Sequence, residues 1–292
     1  MTDPHPTILS LHGRDGLRVE ADAYGDPDAQ PVLLLHGGGQ TRQSWGNTGA
    51  ALAASGFYAL CLDARGHGGS AWDPDGDYRL DAFRDDLAAI IPALSAPPAL
   101  IGASLGGLTS LLLAAERPEI AIRAVVMVDI ATRAQPSGVK RIIDFMTARP
   151  DGFASLEEVA DAIAAYLPHR DRRVNLEGLK RVVRLGDDGR WRWHWDPRFI
   201  QREWATDYSE QRDDAIRARL DDAARNLTVP TLLVRGRMSD VISEEDVATF
   251  RQLVPHCDFV DVKRAGHMVA GDSNDAFTAA VQRFLTAHVH PG

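Results

Sequence analysis

Short, wholly apolar runs alternate along this chain with longer segments whose apolar residues recur every three or four positions. The runs lie at 32–35, 58–62, 99–101, 124–128, 231–234 and 259–262. The helical patterns lie at 80–94, 105–116, 244–253 and 274–288. A strand with one face in water alternates apolar and polar residues, so runs without that alternation predict strands covered on both faces. The whole pattern predicts an α/β fold, a mostly parallel central sheet with helices on both faces, preceded by a hairpin-like segment at 17–24.

Between about Thr132 and Arg225 the alternation stops and the pattern is helical only, at 139–148, 156–167, 176–185 and 213–224. Trp191, Trp193, Trp195, Phe199 and Trp204 lie among these segments. So long an insertion is not a structureless loop in a compact domain, and its apolar faces must bury against something. We expect an inserted all-helical cap over the C-terminal edge of the sheet. The chain then divides into core 1–131, cap 132–225 and core 226–292.

Composition narrows the function. The 292 residues carry a formal net charge of −9, and no Lys/Arg run forms a basic stripe, which argues against a nucleic-acid partner. No apolar stretch approaches the roughly 20 residues needed to span a bilayer, and the first residues lack a charged-then-apolar leader pattern. Two cysteines, Cys61 and Cys257, suit a reducing compartment, and a cytoplasmic location is expected. Metal-site spacings such as H-E-x-x-H and paired C-x-x-C are absent, so no metal or cofactor is expected. The expected partner is a small-molecule substrate, with monomer and homodimer both open.

The chemistry concentrates at the ends of the apolar runs. Gly102-Ala103-Ser104-Leu105-Gly106 fits G-x-S-x-G between a strand-like and a helix-like segment, the context of a nucleophile elbow. A serine hydroxyl is a poor nucleophile, and such a turn exposes it while a helix N-terminus favours negative charge. After the first run comes His36-Gly37-Gly38-Gly39-Gln40, where glycines can turn main-chain N–H groups toward an anion. After the second comes Asp63-Ala64-Arg65-Gly66-His67-Gly68-Gly69-Ser70, whose side chains are expected to tie adjacent loops together. Ala265-Gly266-His267-Met268 follows the last run, which puts His267 at the edge of a parallel sheet where sites assemble.

In that order and combination these motifs resemble the α/β-hydrolase superfamily over nearly the whole chain. The closest look is to small-molecule esterases and epoxide-hydrolase-like members with a cap after the sixth strand. Ser104 stands where epoxide hydrolases and haloalkane dehalogenases carry aspartate, which argues against both reactions. The resemblance implies hydrolysis of a small, largely apolar ester, thioester or lactone through an acyl-enzyme. Ser104 would be the nucleophile and His267 the base, with the N–H groups of Leu105 and Gly38 (or Gly39) as oxyanion hole. Most members carry the acid after the seventh strand, where Arg235-Gly236-Arg237-Met238-Ser239-Asp240 puts Ser239, not Asp240, in register. Asp129, directly after 124–128, matches the alternative position at the end of the sixth strand and is preferred over Asp240. Trp45, Met268 and Trp193 are the candidate substrate contacts. Carbon–carbon bond hydrolysis or perhydrolysis on the same triad, or a low-turnover receptor, are the rivals.

Overall fold

The computed structural model describes residues 5–167, 176–203, 210–263, 265–267 and 274–290. Eight strands form the main sheet: β1 (Thr7–His12), β2 (Arg18–Tyr24), β3 (Gln30–Leu35), β4 (Phe57–Leu62), β5 (Ala99–Ala103), β6 (Ala124–Val128), β9 (Thr231–Gly236) and β10 (Cys257–Val262). Their order across the sheet is β1-β2-β4-β3-β5-β6-β9-β10. The β1–β2 and β2–β4 pairings are antiparallel and all others parallel. The opening hairpin therefore begins at Thr7, ten residues ahead of the 17–24 segment read from sequence.

Successive side chains of a strand point to opposite faces, and here both sets are apolar. Val32 and Leu34 of β3 join Ile101, Val126 and Val234 under α1 (Gly46–Ala54) and α9 (Asn274–His288). Leu33, Leu35, Leu100, Val125 and Leu233 pack on the other face, under α2 (Leu80–Ile90), α3 (Leu105–Glu116), α7 (Glu210–Arg225) and α8 (Glu244–Leu253). Burial on both faces removes the selection for alternation, which is why these strands read as unbroken runs.

The inserted segment holds α4 (Pro136–Thr147), α5 (Leu156–Tyr166) and α6 (Arg198–Glu203), but it is not all-helical. Where a helix was expected at 176–185, a short 3-10 turn (Glu177–Arg181) leads into β7 (Val183–Leu185), which pairs antiparallel with β8 (Trp191–Trp193). The reason is local: Val182 and Val183 are β-branched, and Asp188-Gly189, with Gly189 at φ 75°, turns the chain back. The C-terminal half of α7 also departs from the expected cap. Leu220, Ala223 and Ala224 pack with Leu111, Leu112 and Val125, so this part of 132–225 covers the sheet. Among the described residues no helix is long and apolar enough to cross a membrane.

Candidate active site

Strand β5 ends at Ala103 and α3 begins at Leu105, so Ser104 makes the strand-to-helix turn. Its backbone lies at φ 47°, ψ −114°, a region a side-chain-bearing residue occupies at a cost of about 1–3 kcal/mol. The flanking glycines make the turn possible. A Cβ on Gly102 would lie 2.2 Å from the Gly106 carbonyl oxygen, and one on Gly106 would lie 2.4 Å from that of Leu35. Larger residues there would lift α3 off β5 and β3. The first N–H groups of a helix lack intrahelical partners, and among the described residues the Leu105 N–H has no acceptor.

Ser104 donates its N–H to the Val128 carbonyl at 3.1 Å, which sets it beside the end of β6. There Asp129, fully buried, also has positive φ, at 51°. Among the described residues only Asp15, Ser104 and Asp129 combine a side chain with positive φ, so two of the three strained positions meet here. The Asp129 carboxylate is fully engaged. Oδ1 accepts the Gly236 N–H at 2.8 Å, and Oδ2 accepts the Ser239 hydroxyl at 2.5 Å. Oδ2 also lies 2.8 Å from Nδ1 of His267. A carboxylate at Nδ1 fixes the tautomer, leaving the Nε2 lone pair free to take a proton.

His267 follows β10, two strands away from β6, so its loop must cross the end of β9. Gly236 is the crossing point. A Cβ there would lie 2.3 Å from the Gly266 carbonyl oxygen and 2.7 Å from that of Ala265. The Met238 N–H pins the loop by donating to Ala265 at 2.9 Å.

The glycine segment after β3 reaches the same place, since a Cβ on Gly37 would lie 3.2 Å from that of Ser104. His36 is buried, with Nδ1 2.7 Å from the Gly37 carbonyl oxygen and Nε2 accepting the Ala64 N–H at 3.0 Å. Burial pushes it down to about 4, so the ring is neutral. The Gly37 carbonyl is thus held from one side, and the Gly38 N–H of the same planar peptide points to the other. Among the described residues that N–H has no acceptor, whereas the Gly39 N–H donates to Nε2 of His67 at 3.1 Å. Of the two candidate oxyanion donors, Gly38 is free and Gly39 is taken.

The other expected positions divide. Asp240 is not at His267. Its carboxylate pairs with Arg141 of α4 at 2.6 and 2.9 Å and is 40% exposed, because the residue lies one past the register in which Ser239 faces Asp129. Trp45 is not at the site either. It closes the 3-10 turn Arg42–Trp45, which sends its ring into the core beside Val32, Leu34 and Phe277, at 1% exposure. Trp193 lies inside the cap, stacked on Trp195 with centroids 5.0 Å apart. Met268 lies outside the described residues. Of the side chains that do meet the glycine turn, Trp195 and Phe199 belong to the aromatic group noted in the insertion, Met146 does not, and none of the three is among the candidate substrate contacts. A Cβ on Gly38 would lie 3.2 Å from Phe199, and one on Gly39 2.8 Å from Met146 and 3.5 Å from Trp195. Their apolar character carries no signal that separates them from cap core. Among the described residues no group of three His, Cys, Asp or Glu could hold a metal ion.

Comparison with known proteins shows the family. The sequence model of the family described as "alpha/beta hydrolase fold" matches residues 30–273. The chain is 32% identical to esterase Rv0045c of Mycobacterium tuberculosis over 285 residues, 92% of this chain and 88% of that protein. A crystal structure of that esterase superposes with a TM-score of 0.74 over 97% of this chain and 92% of that one. This chain is 30% identical to the 3-hydroxybutyrate-oligomer hydrolase of Cupriavidus necator, over 86% of this chain and 87% of that protein. An α/β hydrolase from Novosphingobium aromaticivorans superposes with a TM-score of 0.77 at 28% identity, over 97% of this chain and 98% of that one.

Proposed function

This chain belongs to the α/β-hydrolase family as a hydrolase of ester bonds, and from that premise we propose that it works through an acyl-enzyme on Ser104. The observation that carries the proposal is the pairing of Asp129 with Nδ1 of His267 beside a serine held at φ 47° on the elbow. Nε2 of His267 takes the Ser104 proton as Oγ bonds to the substrate carbonyl carbon. The oxyanion forms between the N–H groups of Leu105 and Gly38, where charge appears only in the transition state and its neighbour. Collapse expels the alcohol, thiol or ring hydroxyl, which receives the proton from His267. Water then adds to the acyl group, gives its proton to His267, and the acid leaves as Oγ recovers it. Asp129 keeps its negative charge throughout and stabilises the imidazolium.

Met146, Trp195 and Phe199 meet the glycine turn from the cap and form one apolar cluster with Leu105. That lining favours a substrate of modest size with an apolar acyl or alcohol part: an ester, thioester or lactone. A fluorophosphonate probe is expected to add its mass to the peptide holding Ser104 and to no other. Ser104→Ala is expected to abolish both the labelling and the turnover of p-nitrophenyl acetate. Labelling elsewhere, or ester turnover undiminished in Ser104→Ala, would refute the assignment.

A further inference from the structure

Ser239 gives and takes no proton in that chemistry, yet its hydroxyl bonds the same oxygen of Asp129 that faces His267. A second bond fixes the direction of this one. The Val241 N–H donates to the Ser239 Oγ at 3.1 Å, so the hydroxyl acts there as acceptor and its own hydrogen runs to Oδ2 of Asp129, which can only accept. Oδ1 is tied to the Gly236 N–H. The last torsion of an aspartate is soft, and one tether on each oxygen sets the plane of the carboxylate. With the tether on Oδ2 gone, the group can turn about that bond.

What aims the Val241 N–H lies in the insertion. That N–H belongs to the peptide joining Asp240 to Val241, and the carbonyl of the same planar peptide is that of Asp240, pointing the opposite way. The Asp240 carbonyl oxygen rests against Gly138 in the first turn of α4, where a Cβ would lie 2.2 Å from it and 3.1 Å from the Val241 Cα. Just before α4, the Gln135 N–H donates to the Val241 carbonyl at 2.7 Å and pins that residue through its next peptide. It is the backbone of Asp240 that serves here, since its carboxylate is paired with Arg141.

We propose that Ser239 is a positioning residue, whose hydroxyl, aimed by the Asp240–Val241 peptide that α4 backs at Gly138, sets the plane of the Asp129 carboxylate against His267 and so ties the root of the cap to the triad. The proposal rests on the reading of Asp129 and His267 as the working pair of the acyl-enzyme mechanism. Ser239→Ala removes the hydroxyl, while Ser239→Thr keeps it. One hydrogen bond to a charged group counts for about tenfold or more, so Ser239→Ala is expected to lose about that much in kcat on p-nitrophenyl acetate with KM within about threefold. Ser239→Thr is expected to stay within about threefold of wild type. Gly138→Ala presses on the Asp240–Val241 peptide and is expected to lower kcat about tenfold. Added to Ser239→Ala, it should cost less than about threefold, because the link it strains is already cut.

One measurement on the unaltered protein needs no variant to fold. In a neutron structure the hydroxyl hydrogen of Ser239 should lie toward Asp129, and one directed elsewhere overturns the proposal. So does a folded Ser239→Ala with wild-type kcat, a Ser239→Thr no better than Ser239→Ala, or losses in Gly138→Ala and Ser239→Ala that multiply in the double variant. Asp129→Asn with kcat near wild type overturns the reading of the pair itself, and this proposal with it. An impaired Asp129→Asn beside an unimpaired Ser239→Ala strikes the proposal alone.

Discussion

Asp129 holds the site together at the scale of single residues, because each of its oxygens is already in use. Gly236 and Ser239 hold the carboxylate, and His267 is left one oxygen to face. An amide in its place would present a donor to groups that are all donors, forcing either a broken bond or the wrong imidazole tautomer. Asp129→Asn is therefore expected to fold and to lose up to about 10⁴ in kcat. Asp240→Asn removes only a half-exposed pair with Arg141, worth about 0–1 kcal/mol. Its kcat should stay within about threefold of wild type, since it touches nothing at His267. Steady-state kinetics of both, with circular dichroism to check folding, decides the assignment. The sequence holds the clue to this contrast in its spacing: Ser239 occupies the register after β9 where an acid would stand, and a hydroxyl there can serve only as donor to an acid elsewhere.

At the scale of elements, close backbone approach does the positioning. The loop bearing His267 passes over β9 at a glycine, and its carbonyls would collide with any Cβ at 236. Gly236→Ala is thus expected to displace residues 265–267 and lower kcat about 10²-fold or more, the usual consequence of moving a reacting group by about 1 Å. Activity near the wild-type level in that variant would show that the loop can yield. The glycines at 102 and 106 are legible in the sequence because they fall in a motif of fixed spacing. Gly236 is legible as the residue that registers the stretch after β9, but why it must be glycine is not, because the reason is a carbonyl thirty residues further along. The small β7–β8 hairpin is a different case. Asp188-Gly189 and the alternation Trp191-Arg192-Trp193 mark it in the sequence, but each strand has only three residues, too few for a period of two to stand out from helical neighbours.

Across the whole molecule, the buried histidines tie stability to pH. Burial pushes His36 down to about 4, His67 to about 3 and His194 well below its ordinary value. Unfolded, each takes up a proton near 6.5. Below that pH the unfolded chain binds protons that the folded chain refuses, so stability is complete above about 6.5 and declines as pH falls toward the folded values. His36 and His67 each contribute a loss of about 2 kcal/mol by pH 5, a large share of a net stability of about 5–15 kcal/mol, and His194 acts in the same direction. Urea midpoints should be equal at pH 7.5 and 8.5 and fall clearly between 6.5 and 5.0. A non-titrating His67→Gln should show a shallower fall. A midpoint that does not move between 7.5 and 5.0 would mean that these rings are protonated in the folded state.

Two periodicities and a handful of end-of-strand motifs were enough for the sequence alone to determine the layered α/β architecture and the placement of Ser104, Asp129 and His267 at one edge of the sheet. Both are local in origin: burial on two faces writes continuous apolar runs, and a parallel sheet gathers all its strand ends on one side. Which carboxylate meets His267, which glycine N–H is free, and that Trp45 fills the core while Phe199, Met146 and Trp195 cover the glycine turn were decided by the tertiary structure. These are contacts between segments far apart in the chain, set by how loops cross and which way a short 3-10 turn aims a ring. A single sequence records such contacts only as residues of suitable size and polarity, and many other positions share both.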